Sequence, residues 1–107
     1  MGDIVRGNQT QKQVAEVSPE YAFQSSGNVG VVETEVAIGA NTNAIAIKNT
    51  HATQTLAAKF KSSTTAWNTN TWTIAAGKTL SLDLRTTAIK LTGSGAATTY
   101  EILATKE

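Results

Sequence analysis

The residues of this chain that could do chemistry are few and far apart. His51, in "KNTHATQ", is the only histidine, and there is no cysteine. A transition-metal centre needs three or four converging His, Cys or carboxylate ligands, and a Ser-His-Asp arrangement needs a histidine held by an acid. One histidine among eight scattered acids supplies neither, so His51 reads as a loop residue between two strands. Glu33 and Glu35, in "VVETEVAI", would leave a strand on the same side, the spacing an acid–base pair would use. Nothing nearby would split their ionisation, so they read as a solvated strand face. "AAGKT" carries the tail of a phosphate-binding loop without its leading glycine, and reads as a turn at Gly77. "GSG", Gly93 to Gly95, lacks the rest of a nucleophile elbow and reads as a hairpin turn. No D-x-D-x-D-G calcium loop occurs. The sequence therefore offers no catalytic, metal-binding or cofactor-binding set.

The aromatic residues are the remaining candidates for recognition. Trp67, in "TTAWNTNTW", and Tyr100 would suit sugar stacking or a protein interface if exposed. The plainer reading of Trp67 is a cap over the end of a core, and Trp72 reads as core.

These residues must be positioned by something, and the pattern is that of strands. The chain has 107 residues, 40% of them hydrophobic and 16% charged, with a net charge of +1. That is one domain able to bury a core of its own, without a basic face for nucleic acid. The start, "MGDIVRGNQTQKQ", has no apolar run and does not read as a signal peptide. No stretch reaches the roughly 20 apolar residues that span a bilayer. Neither nucleic acid nor membrane is expected as a partner.

From Gly30 onward the period is two. Val32, Val36 and Ile38 share one face, opposite Glu33 and Glu35. Ile45 and Ile47 alternate with alanines. Leu56, Ala58 and Phe60 alternate with Thr55, Ala57, Lys59 and Lys61. Trp72 with Ile74, Leu80 with Leu82 and Leu84, Ile89 with Leu91, and Tyr100 with Ile102 continue the series. About seven short strands separated by Asn, Gly, Ser and Thr predict an all-β antiparallel sandwich, immunoglobulin-like or jelly-roll-like. Threonine, β-branched and uncharged, suits the solvent side of such strands. Exposed edges would then need guarding, and Lys48, Lys59, Lys61 and Lys90 are the candidates. Asp83 is expected to face outward near Arg85 or Lys90.

Residues 1–28 differ. They are rich in Gln, Asn, Ser and charge, hold the only proline, Pro19, and have too few apolar residues for a core. They read as an extended arm lying on the body or on a neighbouring subunit, with residues 29–107 forming the sandwich domain.

"AIAIKNT", "TWTIAAGKTLSLDL" and "AIKLTGSGAATTYEIL", with the polar arm, resemble small β-sandwich proteins of tailed-bacteriophage virions, such as head decoration (cement) proteins and head-fibre or neck components. The resemblance covers roughly residues 30–105. It implies a non-enzymatic virion protein, made in the host cytoplasm and present in several copies on the capsid surface or neck. Its partner would be the major capsid protein or another virion protein. The arm residues expected to bury on docking are Ile4, Val5, Val14, Val17, Tyr21 and Phe23. The competing class is a carbohydrate- or receptor-binding module built on Trp67 and Tyr100.

Overall fold

The computed structural model describes residues 21–62 and 66–107. They form eight strands: β1 Ala22–Val29, β2 Thr34–Ala37, β3 Thr42–Asn49, β4 Leu56–Phe60, β5 Trp72–Ile74, β6 Thr79–Leu82, β7 Ala88–Gly93 and β8 Thr98–Lys106. One sheet runs β1-β8-β3-β6 and the other β2-β7-β4-β5, with every neighbour antiparallel. β1 thus pairs with β8, β2 with β7, β3 with β6 and β4 with β5, as in one long folded hairpin. Successive pairs of that hairpin fall in alternate sheets, which closes two Greek keys around one core. This is a jelly roll. The immunoglobulin-like alternative is set aside, because its strands follow a different order.

The core lies where the alternation puts it. Ile45, Ile47, Tyr100, Ile102 and Ala104 from one sheet face Leu56, Ala58, Phe60, Ile74, Ile89 and Leu91 from the other, all buried. Leu80, Leu82 and Leu84 pack against this layer only in part, because β6 is an edge strand. A register shift between Thr42 and Ala44 lets both Thr42 and Ile45 turn inward, although they are an odd number of residues apart.

The eighth strand is β1, a segment that the sequence places in the arm. Residues 22–28 belong instead to the sandwich, paired with β8 from Ala22↔Thr105 to Val29↔Thr98. "AFQSSGNV" lacks a clear apolar alternation because it is an edge strand, burying only Val29 fully and Phe23 in part. Residues 1–20 lie outside the described residues. Val32 also departs from expectation. It precedes β2 and is 75% exposed, so the paired strand begins two residues later than the alternation implied.

Threonine does more than coat the surface. Thr42, Thr86 and Thr98 are buried, and each hydroxyl joins strands or loops that the backbone leaves unpaired. The Thr42 hydroxyl donates to the Leu84 carbonyl and accepts from the Thr86 amide at 3.1 Å. Thr86 Oγ1 accepts from the Lys61 amide at 3.0 Å and lies 2.9 Å from the Ala88 carbonyl. The Thr98 hydroxyl donates to the Gln54 side-chain oxygen. A buried hydroxyl is stable only when bonded in this way.

The β7–β8 reversal carries its one positive φ at Ala97, at 59°, whereas the "AAGKT" turn places its positive φ at Gly77, as read from the sequence. Gly93 is needed for a different reason. A Cβ there would fall inside the Thr98 side chain, which is fully buried and held by its hydroxyl. Gly93→Ala is expected to lower stability by about 1–3 kcal/mol, the usual range for overpacking a closed site. Urea denaturation would report it as a lower midpoint at an unchanged slope.

Candidate docking surface

The outer side of the β1-β8-β3-β6 sheet holds a shallow, open groove of about 590 Å³. Its lining follows from register. Ala22, Thr105 and Ala44 lie side by side across β1, β8 and β3. The next row is Leu103, Ala46 and Ser81, with Gln24 beside Leu103 on β1 but outside the groove. All these side chains alternate with core residues and so point away from the core. The alanines keep the floor low, and Leu103 stands beside them, 58% exposed. Asp83, just past β6, sits on the rim. Its carboxylate has no ion-pair partner among the described residues, because Arg85 pairs with Glu107 at 2.9 Å and Lys90 with Glu33 at 3.7 Å. The expected neighbours of Asp83 are therefore engaged elsewhere.

The lysines expected to guard the edges do not stand on them. Lys48, Lys59 and Lys90 lie on β3, β4 and β7, the interior strands of the two sheets, and Lys61 follows β4. The edges are β1, β6, β2 and β5. β1 is the longest of these, at eight residues, and it carries neither charge nor proline. Among the described residues it has β8 as its sole strand partner. Such an edge is suited to accept another chain.

The other sheet presents charge. Lys59 and Lys90 are directly opposed across β4 and β7, an arrangement that repels. Glu33 offsets the repulsion, reaching Lys59 at 3.5 Å and Lys90 at 3.7 Å. These groups are partly exposed, so each pair contributes at most about 1 kcal/mol. Lys90 Nζ also lies over the Trp67 ring, 4.5 Å from its centroid, with Lys61 Nζ at 5.8 Å. Glu33 and Glu35 thus do not act as a pair: Glu33 bridges lysines, and Glu35 sits opposite Lys90 in the β2–β7 register.

Trp67 and Tyr100 are not brought together. Tyr100 is core, 8% exposed, and so is withdrawn from the recognition surface. Gly27 lies against its ring and hydroxyl, close enough that a Cβ there would be in van der Waals contact with them. Trp67 is half-buried outside the β2-β7-β4-β5 sheet, bridged to Lys61 and lying beneath the Lys90 ammonium. Trp72 is not core but 44% exposed, because β5 is a three-residue edge strand whose first residue overhangs the sandwich. Of the arm residues, Tyr21 is 46% exposed, and Phe23 packs on the chain's own core. Ile4, Val5, Val14 and Val17 lie outside the described residues.

His51 has a structural task. Its Nδ1 accepts the Thr53 and Gln54 amides at 3.1 and 3.0 Å, closing the β3–β4 loop. Its own amide donates to Oδ1 of the buried Asn49 at 3.0 Å. Among the described residues, no three His, Cys, Asp or Glu side chains gather as metal ligands would.

No family model and no curated protein sequence matches the chain. Solved structures do. One is a subunit from Bacillus endospore appendages, described as a novel family of disulfide-linked pili. It has a TM-score of 0.55 and 18% identity, over 80% of this chain and 86% of that one. Others are PirA, at TM-score 0.46 and 14% identity over 84% and 97% of the two chains, and the Yersinia pseudotuberculosis-derived mitogen, at 0.46 and 15% over 80% and 86%. At these identities the likeness is one of fold. For the appendage subunit, that shared fold is the all-β sandwich.

Proposed function

We propose that this chain is a non-enzymatic structural protein, a capsid decoration subunit that docks on a virion lattice through residues 1–20 and the outer face of the β1-β8-β3-β6 sheet. One observation carries the reading: an apolar groove with an exposed leucine, on a sheet whose longest edge bears no charge. Surfaces of this kind adhere to proteins, and a groove lined by alanines, Ser81 and one carboxylate holds no set that could turn over a substrate. The resemblance to phage virion proteins supplies the lattice. The partner is then a shell protein in many copies, and each contact need only be modest because neighbouring contacts add.

Binding to purified phage heads that lack the chain tests this reading. The full chain should co-sediment with the heads. Leu103→Glu, which places a charge on an exposed position and leaves the core untouched, should weaken binding at least tenfold. Equal binding by both proteins would overturn the assignment of this face.

A second reading has an observation of its own. The uncharged β1 edge would suit a fibre subunit, as in the pilus-forming protein that shares the fold. Any such fibre would be held without disulfides, since the chain has no cysteine. Electron microscopy of the purified chain alone separates the two, because a fibre subunit would form filaments with no shell protein present.

A further inference from the structure

We infer that the groove on the outer face of the β1-β8-β3-β6 sheet is the seat for Ile4, Val5 and Arg6 of a second copy of this chain. The inference rests on the decoration reading and divides its docking face: the groove takes a neighbouring copy's segment, the rest of the face meets the shell, and losing the ties between copies weakens decoration as a whole.

Three observations converge on that occupant. The groove is apolar and shallow, floored by Ala44 and Ala46 beside Leu103, with room for a pair of branched aliphatic side chains. Its rim carries one carboxylate, Asp83, that no cation of the described residues engages. The chain outside the described residues contains one place where two adjacent aliphatic residues are followed directly by a cation, "IVR" at Ile4 to Arg6. An apolar pair with an adjoining guanidinium complements an apolar groove with an adjoining carboxylate, and arginine is well shaped for that pairing.

Reach allows the segment to meet a neighbour's groove. The described chain begins at Tyr21, next to Ala22, which itself lines the groove. Arg6 is 15 residues further back, a span of up to about 50 Å at full extension. A span of that length lets the segment meet the groove of an adjacent copy on the lattice, and the chain's own groove, beside the segment's root, is the competing seat. Each copy then offers one segment and one groove to its neighbours. Such a heterologous contact propagates from copy to copy and closes only if the geometry forms a ring.

The absence of native cysteine makes the test clean. In the full-length chain, Val5→Cys combined with Ala46→Cys should, on mild oxidation, give a ladder of dimers, trimers and larger species. The control, Val5→Cys with Thr92→Cys, places its second thiol on the opposite sheet and should give at least tenfold less. A charge exchange supplies a readout that needs no cysteine. Arg6→Glu should weaken self-association at least tenfold in sedimentation velocity, and adding Asp83→Lys to it should restore most of the loss. A disulfide that stays within one chain would overturn the inference in favour of the chain's own groove, and a ladder no stronger than the control would overturn it outright. Full-length chain that fails to cross-link yet still binds phage heads would sink this contact and leave the decoration reading standing.

Discussion

Removing residues 1–28 should cost the protein most of its stability, while removing residues 1–20 should leave its melting temperature nearly unchanged. The two cuts differ by β1. Residues 22–29 form a full strand against β8, from Ala22↔Thr105 to Val29↔Thr98. Deleting through Asn28 strips that strand and leaves Val29 as a frayed terminus. It also removes Phe23, which packs on the core, and uncovers the flank of Tyr100 and Ile102. Burial of one large aliphatic or aromatic side chain is worth about 1.5–3 kcal/mol. The lost contacts and unpaired β8 groups together reach on the order of 5 kcal/mol, comparable with the whole stability of a small domain. Thermal melts of the two truncations, followed by circular dichroism, should show a cooperative transition for 21–107 and a shallow or absent one for 29–107. A cooperative, full-length-like melt for 29–107 would mean that β1 is dispensable.

The second large effect is expected at Asn49. Its side chain is fully buried at the end of β3 and bonds in three directions. Nδ2 donates to the Gln54 carbonyl at 2.7 Å and to the Ile74 carbonyl at 3.0 Å, and Oδ1 accepts the His51 amide at 3.0 Å. Its backbone holds the β5–β6 turn as well, through the Lys78 carbonyl and the Gly77 amide, both at 2.9 Å. Asn49→Ala leaves the partners of its side chain in place without their bonds, and an orphaned buried group costs about 1–3 kcal/mol. A loss of about 3 kcal/mol is expected, measured by urea denaturation. Asn49→Asp tests the chemistry directly: it keeps the shape and the acceptor but loses both donations, so it should be as damaging as alanine. If Asn49→Asp were close to wild type, the two donated bonds would not be holding the loop.

How much of this was legible in the sequence depends on what each residue does. Ile45, Ile47, Leu56, Ala58, Phe60, Ile89, Leu91 and Ile102 are buried as their alternation implies, because interior strands with one face inward must alternate. β1 escaped because an edge strand buries little, and serine, glycine and asparagine look alike in a loop and on an edge. Trp72 misled for the related reason that alternation assigns a face but not depth, and a residue at the tip of a short edge strand faces inward without being covered. The bonds from Thr42 to Leu84 and Thr86, between Thr86 and Lys61, and from Asn49 to Ile74 had no local signal, since those partners lie 25 to 44 residues away. The strand order is non-local for the same reason. The groove was also hidden, although the alternating alanines of "NAIAIKN" held a trace of it: small residues on an outer face leave room for something else to lie there.

The decoration reading is tested most directly by counting copies of the chain in purified virions, by quantitative mass spectrometry against the major shell protein, with antibody labelling to show where they sit. The account predicts a stoichiometric ratio to the shell protein, with label spread over the head. A handful of copies per particle, label confined to the tail, or no chain in the virion would contradict it.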